Sequence, residues 1–227
     1  MDFQILTHSP LGLPVKGYRF FNASSVSGGA NRFAKKILIL GGVHGDEIEG
    51  VIAAEALLSA FTTAFPYKLD LLLVPHFNPD GVFYRTRNNS RGVDLNRNLP
   101  TKDWSPVIKT PRYHPGPSAN SEPENQWLAH YIESEKPEFV LSLHSWFPVL
   151  NVNGDCLNEA KTLAALTGYR IDSDIGYPTP GCLGTFAGLE RQSATLTYEI
   201  ERGLEPSAIL KIHVPAILEC LKTREQT

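Results

Sequence analysis

Four short stretches constrain the fold of this chain more than anything else in it. Residues 37–40 read ILIL, residues 71–74 LLLV, residues 139–143 FVLSL and residues 194–200 ATLTYEI. The first three lack the alternation of a strand with one wet face. They predict strands covered on both faces, over residues 35–43, 69–75 and 138–144. Residues 194–200 supply a fourth. Between these strands lie segments with helical spacing. In residues 47–61, Ile48, Val51, Ile52, Ala56 and Leu58 follow an acidic first turn of Asp46, Glu47 and Glu49, which suits the positive end of the helix dipole. Residues 121–135 open on Ser-Glu-Pro-Glu and continue with Trp127, Leu128, Tyr131 and Ile132 on one face. Residues 157–167 and 206–221 complete the set. Strands alternating with helices predict an α/β fold, with a mixed, mostly parallel twisted sheet and helices on both faces.

Composition narrows the field further. With 227 residues the chain is expected to form one domain over residues 1–227. The net charge is −3 and no basic stretch offers itself to a phosphate backbone, which argues against nucleic acid as a partner. The longest apolar run, residues 37–43, is far too short to span a bilayer. Residues 1–12 lack a cationic start followed by an apolar stretch, so no secretory signal is expected. Cys156, Cys182 and Cys220 are odd in number and far apart, which suits a reducing compartment without a disulfide framework. The cytoplasm is the expected location.

Sites in such sheets lie beyond the carboxyl ends of the strands. His44 and Glu47 come just after ILILGG, His144 ends EFVLSLH, and Glu199 comes near the end of ATLTYEI. Two imidazoles and a carboxylate are what a catalytic zinc ion takes from a protein, with water in the fourth position. His44 and Glu47 are three residues apart, so a tight turn into a helix puts both on one side. The HxxE pair alone carries little weight, because chance supplies about half of one in a chain with 7 His and 15 Glu. A lone pair of this kind is commonly a solvated helix start, and a lone strand histidine a core group satisfied by backbone. Glu199 read alone is as readily a surface acid, and Glu201 shares its face by strand parity. Residues 83–120 form a long polar loop region, with eight Asn and Arg between positions 85 and 98 and five prolines between 100 and 117. Ordered loops of that length tend to carry function.

Five motifs in order, from about residue 36 to residue 206, resemble the zinc carboxypeptidase family, the funnelin-type metallopeptidases with an HxxE…H zinc site. GGVHGDE is similar to the family's first zinc segment, and LSLHSW to the segment with the second histidine. TYEIERG is similar to the segment of the general base, GVDLNRN to the segment that binds a terminal carboxylate, and YRTRNN to the one with the carbonyl-polarising arginine. Within the family, GVDLNRNLP, SEPENQ and GYPTPG at residues 176–181 resemble the bacterial murein peptide amidases, cytoplasmic members that cleave the γ-D-glutamyl–diaminopimelate amide in cell-wall recycling. After His144, Ser-Trp-Phe is nearer to digestive carboxypeptidases.

The resemblance implies a zinc-carboxypeptidase-like fold and one zinc ion per chain, on His44, Glu47 and His144. It implies that Glu199 takes the proton from the attacking water and passes it to the leaving amine. Asp94 would orient a zinc-bound histidine, and Asn96 with Arg97 would clamp a carboxylate. Arg87 would stabilise the oxyanion, with Arg85 the competing candidate two residues away. Tyr177, twenty-two residues before Glu199, has the spacing of the family's mobile tyrosine; it either closes over the substrate or packs beside Pro178. The expected partner is a small murein peptide, with the protein a monomer or homodimer and no membrane or nucleic acid involved. The rivals are a zinc deacylase of N-acyl amino acids, like the succinylglutamate desuccinylase and aspartoacylase group, a general metallocarboxypeptidase, and a non-catalytic peptide-binding module. That last reading requires loss of the base, and Glu199 is present.

Overall fold

Ile37 and Ile39 point to one side of their strand, Leu38 and Leu40 to the other, and all four are fully enclosed. The computed structural model in which this is seen describes residues 3–21, 34–108 and 110–227. Its strands are β1 (Gln4–His8), β2 (Pro14–Phe21), β3 (Lys35–Leu40), β4 (Leu69–Val74), β5 (Phe139–Trp146), β6 (Val149–Asn153), β7 (Arg170–Asp172) and β8 (Ala194–Glu201). They form one sheet in the order β1-β2-β4-β3-β5-β8-β6-β7. The centre, β4-β3-β5-β8, is parallel. Antiparallel pairings attach β2 to β4, β1 to β2 and β6 to β8, and β7 runs parallel to β6.

Both faces of the parallel centre are covered, which is why its strands carry unbroken apolar runs. On one side Ile37, Ile39, Leu71, Leu73, Leu141 and Leu143 pack against α1 (Ile48–Thr63), α4 (Leu157–Thr167) and α6 (Val214–Gln226). On the other, Leu38, Leu40, Leu72, Val74 and Val140 meet Leu128 and Ile132 of α3 (Pro123–Glu135), with Leu95, Leu99 and Phe186 from the connecting segments. The layered α/β arrangement is the one the runs predict. Among the described residues no helix is long and apolar enough to cross a membrane, and all three cysteines are free.

Several elements depart from expectation. β1, β2, β6 and β7 carry no continuous apolar run: PVKGYRFF alternates because β2 lies near the sheet edge, and VLNVN hides a strand behind its asparagines. Asn78-Pro79-Asp80-Gly81, which reads as a turn, opens the short helix α2 (Pro79–Tyr84), with the Asn78 side chain accepting from Gly81 N. The last helix starts at α5 (Pro206–Ala208), passes a π-helical stretch (Ile209–His213) and runs to Gln226, past the expected end at residue 221. The long loop region is ordered by one side chain above all. Asn98 Nδ2 faces the carbonyls of Pro115 and Ser118 at 2.7 and 3.0 Å, and its Oδ1 accepts from Glu122 N at 3.2 Å.

The turn between β3 and α1 is pressed against α2. A Cβ at Gly45 would lie 1.8 Å from the Gly81 carbonyl carbon, so position 45 admits only glycine while the turn stays in place. Asn78 joins the same turn to the next loop, its Nδ2 donating to Arg87 O at 3.2 Å and lying 3.4 Å from Val43 O. Gly45→Ala should therefore destabilise the metal-free protein by at least about 1–3 kcal/mol, as overpacking does. Thermal denaturation with chelator present measures it, and an unchanged midpoint would mean that the turn can give way.

Candidate active site

The parallel register of β5 and β8 sets His144 directly beside Glu199, and the β3–α1 turn brings His44 and Glu47 over them. His44, Glu47 and His144 are buried. His44 Nδ1 lies 2.8 Å from Glu47 Oε1, His144 Nδ1 lies 2.8 Å from Glu47 Oε2, and the two Nδ1 atoms are 3.1 Å apart. One ligand atom from each of the three lies within 4.8 Å of the others. The outer nitrogens are engaged elsewhere: His44 Nε2 is 3.1 Å from Asp94 Oδ1, and His144 Nε2 is 3.0 Å from Ser142 Oγ.

This donor set fits zinc. Two imidazole nitrogens and a carboxylate converge from separate elements. Each outer ring nitrogen has a carboxylate or hydroxyl to fix ring orientation, as ligating histidines need. Against the cost of burial, the two imidazoles hold the Glu47 carboxyl well below the usual carboxylate range. Asp94 is fully buried, and there too His44 and Arg87 outweigh burial and hold the carboxyl far down. Both acids are therefore ionised at neutral pH, in the form in which they attract a cation.

Glu199 faces the same cavity in a different state. Its Oε2 is buried with no hydrogen-bond partner among the described residues. Burial, helped by the nearby Glu47 charge, pushes its carboxyl up to about 7. Two glutamates at one site are thus held apart in proton affinity, the pattern that separates a ligand from a base. Arg87 donates from Nε to Asp94 Oδ2 at 3.0 Å and from Nη1 to Glu47 Oε1 at 3.1 Å. Arg85 is exposed, in the left-handed backbone position that ends α2, and does not line the cavity. Only Arg87 of that pair reaches the site.

Asn96 and Arg97 lie on a single 3-10 turn (Leu95–Arg97) capped by Asp94, whose Oδ1 accepts from Asn96 N at 2.9 Å. The Asn96 side-chain oxygen, Oδ1, accepts from Leu183 N at 2.8 Å, which leaves its NH2 for the cavity. Arg97 is buried, anchored by Nη1 to Asn96 O at 2.6 Å. Tyr177 lines the cavity edge-on to Trp146, ring centroids 5.7 Å apart, and burial raises its hydroxyl pKa.

Other lining residues carry no sequence signal. Tyr113, in the proline-rich loop, lies under both the Arg87 and the Arg97 guanidinium, 5.2 and 5.4 Å from its centroid, within cation–π range. Arg112 and Arg202 both pair with Asp46 at the rim. Asn151, Asn153 and Thr197 form a polar stretch of wall that only the strand pairing of β6 with β8 reveals. Cys182 is half-buried and lines the cavity, with Thr179 Oγ1 donating to its sulfur at 3.3 Å.

A layered α/β sheet with a buried His–Glu–His cluster facing a lone glutamate defines a metallopeptidase of the carboxypeptidase type. The chain belongs to the zinc carboxypeptidase family (peptidase M14), whose pattern it matches over residues 2–164. It is 30% identical over 197 residues to murein peptide amidase A of Vibrio campbellii, across 82% of this chain and 77% of that protein. With murein peptide amidase A of Escherichia coli K12 it shares 32% identity over 161 residues, 66% of this chain and 64% of that one. The crystal structure of murein-tripeptide amidase from Escherichia coli O157 superposes with a TM-score of 0.74 at 24% identity, over 98% of this chain and 92% of that one, which shows a shared fold.

Proposed function

We propose that this protein hydrolyses the γ-D-glutamyl–meso-diaminopimelate amide of murein peptides, with one zinc ion on His44, Glu47 and His144 and Glu199 as general base. The observation that carries the mechanism is the buried Glu199 Oε2, without a hydrogen-bond partner among the described residues, on the same cavity as a His–Glu–His cluster and the side chains of Asn96 and Arg97. Similarity to murein peptide amidase A over most of both chains supports the substrate class.

Zinc, when bound, supplies a Lewis acid and brings the pKa of water down to about 7. The residues do the rest. Glu199, with its carboxyl near neutrality, accepts a proton from the attacking water and returns it to the leaving amine. The Arg87 guanidinium stands beside the cluster to stabilise the oxyanion; removing one such donor costs about 3–4 kcal/mol of transition-state stabilisation. Asn96 Nδ2 and Arg97 hold the free carboxylate that diaminopimelate carries next to the cleaved amide. Tyr177, which lines the cavity edge-on to Trp146, closes over the bound substrate in this reading.

Zinc-loaded protein is incubated with L-Ala-γ-D-Glu-meso-diaminopimelate and, in parallel, with an ordinary L-peptide, and the products are analysed. Free diaminopimelate should appear from the first and nothing from the second, and a chelator should stop the reaction. Cleavage of the L-peptide alone would make this a general carboxypeptidase instead.

A further inference from the structure

We infer that Arg112 and Arg202, both held on Asp46 at the cavity rim, receive a free carboxylate on the acyl side of the cleaved amide. In a murein peptide that group is the α-carboxylate of the γ-linked D-glutamyl residue. This rests on the amidase reading above and adds to it the residues that recognise the part of the substrate on the carbonyl side.

Charge points to the place. Arg87, Arg97, Arg112 and Arg202 all line the cavity. Arg87 is engaged by Asp94 and Glu47, and Arg97 belongs to the clamp proposed for the leaving residue. Arg112 and Arg202 share a single carboxylate, and a single oxygen of it. Arg112 Nη2 donates to Asp46 Oδ2 at 3.4 Å, and Arg202 Nη2 lies 3.0 Å from the same atom. Arg202 Nη2 also donates to the Asp46 backbone carbonyl at 2.5 Å. The Nε and Nη1 groups of both side chains have no partner among the described residues. Asp46 Oδ1 is buried without one too, so the two-oxygen pairing that a guanidinium favours is not made. Two positive charges stand against one negative charge, with donors left over.

Position gives the side. Asn96 Oδ1 accepts from Leu183 N, and the next residue, Gly184, lies against Asn153, which pairs with Thr195 of β8. The clamp therefore stands toward the start of β8, four residues before Glu199. Arg202 comes three residues after Glu199, about 10 Å further along the strand direction. Its N–H donates to Trp146 O at 3.0 Å, and Gly203 N–H donates to the buried Glu49 Oε1 at 2.7 Å. With its backbone pinned, the Arg202 side chain turns to Asp46, the neighbour of Glu47 in the cluster. Arg112 reaches the same carboxylate from the proline-rich loop, and Tyr113 beside it lies under Arg87 and Arg97. A surface groove lined by Leu11, Tyr84 and Thr86 shares Arg87 and Arg112 with the cavity, so the acyl side has room to continue.

Chemistry selects the occupant. In a γ-linked glutamyl residue the cleaved carbonyl ends the side chain, so the α-carbon keeps its carboxylate. Four carbon–carbon bonds of about 1.5 Å separate that carboxyl carbon from the cleaved one, about 5 Å when extended. A carboxylate there meets unused guanidinium donors and cancels the surplus charge. The corresponding carboxamide keeps the shape, carries no charge and turns N–H donors toward donors.

The test uses zinc-loaded protein and two peptides, L-Ala-γ-D-Glu-meso-diaminopimelate and its counterpart with the glutamyl α-carboxylate converted to the carboxamide. Wild type should favour the acid by at least about tenfold in kcat/KM. That preference should shrink in about 1 M salt, because both arginines are partly exposed and open to screening. Arg112→Gln and Arg202→Gln should each lower the acid value by about tenfold and leave the amide value within about twofold. Unchanged zinc content and thermal midpoint establish that each variant is folded, and the wild-type comparison needs no variant. The alternative is that the two arginines only staple the end of β8 to the turn at Asp46. Either variant lowering both peptides by one factor would support that alternative and overturn the assignment. So would a wild type that treats the two peptides alike, or a preference unmoved by salt, and in each case the amidase reading stands. If wild type releases diaminopimelate from neither peptide, the amidase reading itself fails and the assignment falls with it.

Discussion

Glu199→Gln should lower hydrolysis of the murein peptide by about 10²–10⁴-fold, the range for loss of a positioned general base. Zinc affinity should stay near that of the parent, since ligation is proposed for His44, Glu47 and His144. Gln keeps the shape of the side chain and its place opposite His144 in the sheet register, so the change removes proton transfer and little else. Steady-state kinetics with zinc content measured on the same samples tests it. Full activity in the variant would take the proton transfer away from Glu199 and assign it to another group.

The same variant carries a stability signature of known sign. In the metal-free protein the Glu199 carboxyl titrates near 7, raised chiefly by burial from an ordinary value of 4.5. An acid with a raised folded pKa weakens the fold as pH climbs between those values, and the penalty is complete above the higher one. Below 4.5 it vanishes, because the group is protonated whether folded or not. Glu199→Gln should therefore match the parent at pH 4 and exceed it at pH 8, by about 3 kcal/mol at most. Coincident thermal midpoints at both pH values would mean that the carboxyl is better solvated than its sealed oxygen implies.

How much of this was written in the sequence depends on whether the deciding contacts are local. The strands of the parallel centre announce themselves because burial on two faces forces an unbroken apolar run, and Ile37–Leu40 has no polar residue to place. The HxxE pair and the DLNRN stretch are also local, and so are legible as motifs, whereas the capping of that turn by Asp94 shows only in the fold. The polar wall of the cavity is not legible. Asn151 and Asn153 sit in a five-residue stretch whose identity as a strand depends on pairing with β8, forty-odd residues later, and nothing within VLNVN declares that partner. Tyr113 is equally silent: its place beneath two guanidiniums is set by a loop that Asn98 knits together from positions distant in the chain. Motif resemblance could supply candidates for chemistry, but packing decides which neighbours they meet, as the separation of Arg87 from Arg85 shows.

Asp94→Ala should be the most destabilising change at this site, costing the metal-free protein about 3–5 kcal/mol, the range for breaking a buried ion pair by removing one partner. Three functions end together. Asp94 Oδ2 accepts from Arg87 Nε, Oδ1 meets His44 Nε2, and Oδ1 also caps the turn that carries Asn96 and Arg97. Without it the largely enclosed Arg87 keeps Glu47 as its one ion-pair partner among the described residues. Zinc affinity should drop by about 10–100-fold, because the His44 ring loses the acceptor that orients it. Asp94→Asn separates these causes: the amide oxygen still caps the turn, but the charge that holds Arg87 is gone. Its loss should fall between those of the parent and the alanine variant. The pH dependence runs opposite to that of Glu199. Asp94's carboxyl is depressed well below its ordinary 3.8 in the folded protein, so its stabilisation is complete above that value and fades as acid is added. The difference in unfolding free energy between parent and Asp94→Asn should shrink as the pH falls below 4. A difference that stayed level into acid would show that the carboxylate charge contributes nothing, and that shape alone holds the turn against His44.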